Sequence, residues 1–201
     1  YMFLDLQRAI RYLRYHAGEY GFDPDKIATV GFSAGGNLAG VQAVCFRNES
    51  IAIDGYKPDE IDQTDGSPNA VGLIYPAVTV ANDKIQVVMA DVETYNDPVK
   101  RKQFSEQYEM KDHVKAGDAP MFLCNTVDDD VIDPFHMVEF ARACRENKVP
   151  FELHVFPYGG HGFGGCKPQP APPIPGMAMP DYSAAEQWKE LFVNWLNRTL
   201  K

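Results

Sequence analysis

Along the N-terminal part of the chain, Leu6, Ile10, Leu13 and Ala17 repeat at spacings of four, three and four, which predicts an apolar stripe on one face of a helix over residues 5–19. Gly21 and the run Asp23-Pro24-Asp25 stop it. The pattern then changes: residues 27–32 (IATVGF) are continuously apolar, which predicts a strand buried on both faces of a parallel sheet. A second helix follows at once, with Leu38, Val41 and Cys45 on one side. Further strands are predicted over 70–78 (AVGLIYPAV), 120–127 (PMFLCNTV) and, by alternation, 151–156 (FELHVF). Between 79 and 119 the chain is mixed and charged, read as loop with one or two helices, including a polar one around 100–110. Asp133-Pro134 has the cap and first-turn residues of a helix. Ser183-x-x-Glu186 has the form of a capping box for a last helix, whose stripe is Trp188, Leu191, Phe192, Trp195 and Leu196. Helices alternating with strands give an α/β class, a mostly parallel sheet with helices on both faces.

Residues 164–181 carry six prolines (168, 170, 172, 173, 175 and 180) and read as an extended surface loop. With 201 residues and 45% hydrophobic content, the chain is expected to form one domain around one core. Its net charge of -9 offers no basic surface to phosphates, so nucleic acid is not an expected partner. No run reaches the roughly 20 apolar residues that span a bilayer, so no membrane association is expected. Cys45, Cys124, Cys144 and Cys166 show no C-x-x-C pairing, and the first three, in apolar segments, read as small buried hydrophobes. The chain opens at Tyr1 about five residues before a strong helix pattern, as if entered part-way.

The candidate chemistry begins at Gly31-Phe32-Ser33-Ala34-Gly35, a G-x-S-x-G with a strand directly before it and a helix directly after. Such a bend strains the backbone at its middle residue and requires small neighbours, which holds Ser33 out above the sheet at a helix N-terminus. The alternative, a phosphate-cradling turn, lacks G-x-G-x-x-G and the Lys-Ser or Lys-Thr pair. A serine nucleophile needs a histidine base and an acid to orient it, beyond later strands. His161, inside Gly159-Gly160-His161-Gly162, lies just past the fourth strand and is the base candidate. His16, His113, His136 and His154 sit on helices, in the mixed region or within a strand. The third strand ends in Asp128-Asp129-Asp130, and pattern alone leaves open which aspartate is the acid; Asp133 reads as a helix cap. No metal or cofactor is called for.

With Ser, Asp and His in that order, the chain resembles an α/β-hydrolase. More narrowly it is similar to the acetylxylan and feruloyl esterase-like family, also described as xylanase/chitin deacetylase-like and related to prolyl oligopeptidases. The likeness is carried by DLQRAIRYLRYHAGEYGFDPDKIATVGFSAGGNLAG, by APMFLCNTVDDDVIDPFHMVEFARACRENKVPFELHVFPYGGHGFG and by WKELFVNWLNRTL. It implies acyl transfer on a small-molecule or carbohydrate ester: Ser33 as nucleophile, His161 as base, Asp128 as the acid, and the N–H of Ala34 as half of the oxyanion hole. Gly35 and Tyr75 become candidate substrate contacts, and the segments 79–118 and 164–181 candidate rims. The family's glycine-rich oxyanion loop does not precede Ser33 here, so the resemblance implies a chain holding the C-terminal half of the fold. It also implies a nucleophile strand with an uncovered edge, for a further segment, a second copy or another chain to cover. Two rival functions follow, a prolyl oligopeptidase-type peptidase and a catalytically silent scaffold.

Overall fold

The computed structural model describes residues 2–50, 53–81, 83–165 and 181–201. Cys166 and most of the proline-rich segment, residues 166–180, lie outside them. In chain order the elements are α1 (Met2–Tyr15), α2 (Ala17–Tyr20), β1 (Ala28–Phe32), α3 (Ala34–Val41), β2 (Ala70–Ile74), α4 (Asp83–Met89), α5 (Val92–Asn96), α6 (Pro98–Tyr108), α7 (Met110–His113), β3 (Met121–Thr126), α8 (Pro134–Glu146), β4 (Phe151–Phe156) and α9 (Trp188–Thr199). A π-helical turn, Gln42–Phe46, extends α3.

The strands form one parallel sheet in the order β1-β2-β3-β4, with Val30 beside Gly72, Leu73 beside Leu123, and Leu123 beside Leu153. β2 and β3 are buried at every position, as central strands of a covered sheet must be. On one face Val71, Leu73, Met121 and Leu123 join Ala39 and Val41 of α3 and Met137 and Phe140 of α8 in a single core. On the other face Ile74, Phe122 and Cys124 meet Trp188 and Trp195 of α9. Gly72 makes that second layer close: a Cβ there would stand 2.7 Å from the Phe192 ring.

Three expectations need correction. β1 is not buried on both faces; its burial alternates, and Val30 and Phe32 remain 45% and 37% exposed. The reason is its place at the end of the strand order, where α9 packs on β2 and β3 and meets Phe32 through Trp188, with ring centroids 5.6 Å apart. Of the expected stripe, Ile10 and Ala17 are buried, Leu6 is half-buried and Leu13 is exposed; α1 buries Leu4, Gln7 and Arg11 beside Ile10 instead. That face tolerates polar residues because Gln7 Nε2 donates to the carbonyls of Arg47 and Glu49 at 2.9 and 2.8 Å, while Arg11 reaches Asn48 and Asp62. The Ser183–Glu186 capping box does not open α9, which starts at Trp188 after a 3₁₀ turn; the Ser183 N–H is engaged by Asp181 at 2.9 Å.

The mixed region resolves into α4 to α7, four short helices where one or two were expected. Two are started by aspartate caps: Asp91 accepts from the N–H of Thr94, and Asp97 from those of Val99 and Lys100 ahead of Pro98. The buried Glu109 ties this insert to the chain leaving β2. Its Oε2 accepts from Thr79 Oγ1 at 2.8 Å and from the N–H groups of Val80 and Ala81 at 3.0 and 3.2 Å, while Lys111 pairs with Oε1 at 2.9 Å. Burial works against ionisation of Glu109, but Lys111, Thr79 and the Val80 N–H outweigh it and hold the carboxyl below its usual range.

Candidate active site

Only Ser33 separates the end of β1 from the start of α3, so the whole change of chain direction falls on one residue. Its φ of 52° and ψ of -119° lie where an L-residue is strained, and such conformations cost about 1–3 kcal/mol and persist only where their surroundings enforce them. The enforcement is steric. A Cβ on Gly31 would stand 2.1 Å from the Gly35 carbonyl oxygen, and one on Gly36 would stand 2.7 Å from Pro76 Cβ. A Cβ on Gly35 would meet nothing within 4 Å, so the second crowded glycine is the one after the motif. The chain on either side is pinned: the Ser33 N–H donates to Ile74 O at 3.1 Å, the Asn37 N–H to Ser33 O at 3.0 Å, and Asn37 Nδ2 to Ala77 O at 2.8 Å.

His161 arrives from the loop after β4. Gly159, Gly160 and Gly162 have φ of 148°, 61° and 92°, in the region glycine alone enters freely, which is why the sequence needs glycine on both sides of the imidazole. The ring's Nε2 lies 2.8 Å from Ser33 Oγ. Its Nδ1 lies 2.8 Å from Oδ2 of Asp129.

The acid that faces His161 is therefore Asp129, where the resemblance pointed to Asp128. The two carboxylates leave the turn after β3 in different directions. Asp129 is buried, and its Oδ1 accepts from the N–H groups of Val131 and Ile132 at 2.9 and 2.8 Å, leaving Oδ2 for the imidazole. Asp128 reaches the backbone of the histidine loop, accepting from Gly160 N–H at 2.8 Å and Gly159 N–H at 3.2 Å. Partial burial raises the Asp128 pKa, but those two N–H groups, together with the Thr126 hydroxyl and Asp128's own N–H, outweigh it and hold the carboxyl below its ordinary value. One aspartate orients the ring and its neighbour orients the loop.

The other candidates divide. Ala34 is the first residue of α3, so its N–H belongs to the helix-terminal group without intrahelical acceptors and sits beside Ser33. Tyr75 is not at the cavity beside Ser33. It is buried at the end of β2 with φ 39°, its ring stands edge-on to His161 at 4.9 Å and to Phe163 at 4.7 Å, and its hydroxyl accepts from the Gly164 N–H at 3.3 Å. These contacts tie Tyr75 to the histidine loop. Gly35 is exposed and is likewise absent from the cavity lining. Of the remaining histidines, His16 pairs with Glu19, His113 with the Glu106 carbonyl and His154 with Glu152, while His136 lies on α8. Burial pushes the thiols of Cys45 and Cys144 up to about 12, which makes both poor nucleophiles near neutral pH.

Beside Ser33 and Ala34 opens a cavity of about 340 Å³, walled by α4 and by the turn that carries Asp129. A hydroxyl bonded to an imidazole, the imidazole bonded to a buried carboxylate, and a free N–H at a helix start together can move a proton and receive a developing oxyanion.

The family model described as BD-FAE matches residues 2–143. Among curated proteins, the chain is 32% identical over 162 residues to endo-1,4-beta-xylanase B of Butyrivibrio fibrisolvens, covering 79% of this chain and 24% of that protein. It is 26% identical over 165 residues to the acetylxylan esterase of Xylanibacter ruminicola, covering 80% and 30%. The chain therefore spans 24% and 30% of the length of these relatives. Among solved structures, an acetyl ester-xyloside bifunctional hydrolase from Caldicellulosiruptor lactoaceticus matches with a TM-score of 0.75 and 28% identity, over 98% of this chain and 65% of that one. The butyrate-bound thermophilic esterase of Thermogutta terrifontis matches with a TM-score of 0.70 and 25% identity, over 98% and 64%.

Proposed function

The chain belongs to the BD-FAE family, within the α/β-hydrolase fold, and from that premise we propose that it hydrolyses carboxylic esters, with Ser33 as nucleophile, His161 as general base and acid, and Asp129 as the group that orients the imidazole. The observation that carries this reading is the continuous line of hydrogen bonds from Ser33 Oγ through His161 to Asp129, each step 2.8 Å. In the first half-reaction Oγ bonds to the ester carbonyl carbon, the carbonyl electron pair moves onto its oxygen, and His161 Nε2 takes the hydroxyl proton. The Ala34 N–H donates to that oxyanion, and Asp129 stabilises the imidazolium. Collapse breaks the carbon–oxygen bond to the alcohol, which leaves with the proton from His161. Water then repeats the sequence on the acyl-enzyme, frees the acid and restores Ser33.

The substrates are short acyl esters of carbohydrate, in keeping with the acetylxylan esterase and the acetyl ester-xyloside hydrolase that the chain resembles. Ser33→Ala is expected to abolish hydrolysis of 4-nitrophenyl acetate, and a fluorophosphonate should label Ser33 in the parent protein and not in the variant. Turnover retained by Ser33→Ala would remove the nucleophile from this serine.

A further inference from the structure

The cavity beside Ser33 bears on the identity of the acyl group, an inference that rests on the reading of Ser33 as nucleophile. Among the described residues its walls are aliphatic: Ala77 between β2 and the insert, Ile85, Val88 and Met89 of α4, and Val131 and Ile132 of the turn after β3. No aromatic side chain is among those walls, so an aromatic acid placed there would find no ring to stack on. Asp130 also borders the space and would repel an acyl chain ending in a second carboxylate. About 340 Å³ is near the lower end of the range for small-molecule sites, roughly 300–1,000 Å³, and leaves room for an acyl chain longer than acetyl. A larger cavity of about 520 Å³ between α1 and α6, lined by Phe3, Phe104 and Tyr108, does not include Ser33 in its lining.

We propose that the aliphatic cavity is the acyl site and that it takes an unbranched, uncharged alkyl chain longer than acetyl in preference to a hydroxycinnamoyl ring. Its inner wall and the imidazole's carboxylate share one structure. Asp129 Oδ1 fixes the N–H groups of Val131 and Ile132, so the turn that presents the acid also presents two wall residues. The outer wall is α4, where Val88 is 77% exposed and so forms a lip at the solvent side.

The test uses 4-nitrophenyl alkylphosphonates carrying methyl, propyl or hexyl groups. Ser33 Oγ attacks phosphorus, the bond to the aryl oxygen breaks, 4-nitrophenolate leaves, and His161 takes the serine proton. Intact mass follows labelling, alongside hydrolysis of acetyl, butyryl and feruloyl esters. Labelling should gain roughly fourfold per methylene from methyl to propyl, and butyryl esters should be hydrolysed faster than feruloyl ones. Val131→Trp, at a position 55% exposed and able to take a larger side chain, should fill the space and return the preference to methyl. Val88→Trp on the facing wall should do the same. Labelling independent of chain length, feruloyl esters outrunning butyryl ones, or both tryptophan variants keeping the parent profile would overturn the acyl site while leaving the nucleophile in place. Folded protein in which no phosphonate modifies Ser33 would overturn the nucleophile and the acyl site together.

Discussion

Two glycine-rich turns deliver the reacting groups, and they use glycine for different reasons. At Gly31–Gly36 the need is space: two of the three glycines sit where a methyl group would collide with Gly35 O or Pro76, while their backbones are ordinary. At Gly159–Gly162 the need is conformation: the three glycines have positive φ, and Gly160 and Gly162 have open space around them. The serine turn is therefore set by its own packing. The histidine turn has to be held from outside, which is the work of Asp128 on its backbone, Asp129 on its ring and Tyr75 on its far side.

The sharpest way to break this comparison is to remove the two aspartate contacts separately. Asp129→Asn should lower kcat by about 10⁴, because an amide holds the wrong imidazole tautomer and cannot stabilise the imidazolium. Asp128→Asn should cost far less rate, since it leaves the ring's partner in place; steady-state kinetics on a 4-nitrophenyl ester decide, and equal losses would undo the division of labour. Next in size, Gly31→Ala should destabilise the protein by about 3 kcal/mol or more in urea unfolding, because backbone must move to relieve the overlap. Smaller again, Gly160→Ala should cost about 1–2 kcal/mol for an L-residue at positive φ, whereas Gly35→Ala should stay within about 0.5 kcal/mol.

The mildest test is acid titration of stability. Because the carboxyl pKa of Asp128 is lowered by folding, its contribution is complete above the unfolded value, about 3.9, and fades as pH falls through the folded one. Asp128→Asn should flatten that acid limb and leave the neutral region's slope unchanged.

Much of this arrangement was legible in the sequence because it is local. A strand meeting a helix with one residue between them marked Ser33, and glycines around a histidine past a strand marked His161. The choice between Asp128 and Asp129 was not, since adjacent identical side chains are told apart only by the direction each leaves a turn. The polar buried face of α1 was hidden for another reason: Gln7 Nε2 donates to carbonyls 40 and 42 residues away, and no helical periodicity contains that information. Likewise β1 reads as a core strand by composition, and only its end position in the sheet shows that half of it faces outward.

Glu109 gives the cavity beside Ser33 an unusual independence of construction. It fastens residues 79–81 to the far end of the helical insert without lining the cavity, while the side chains that line it, on α4, lie between the two fastened points. Frame and lining are thus separate components. The lip of the cavity can be rebuilt in shape or polarity, by substituting Ile85, Val88 or Met89, without touching the anchor that keeps the insert over the serine.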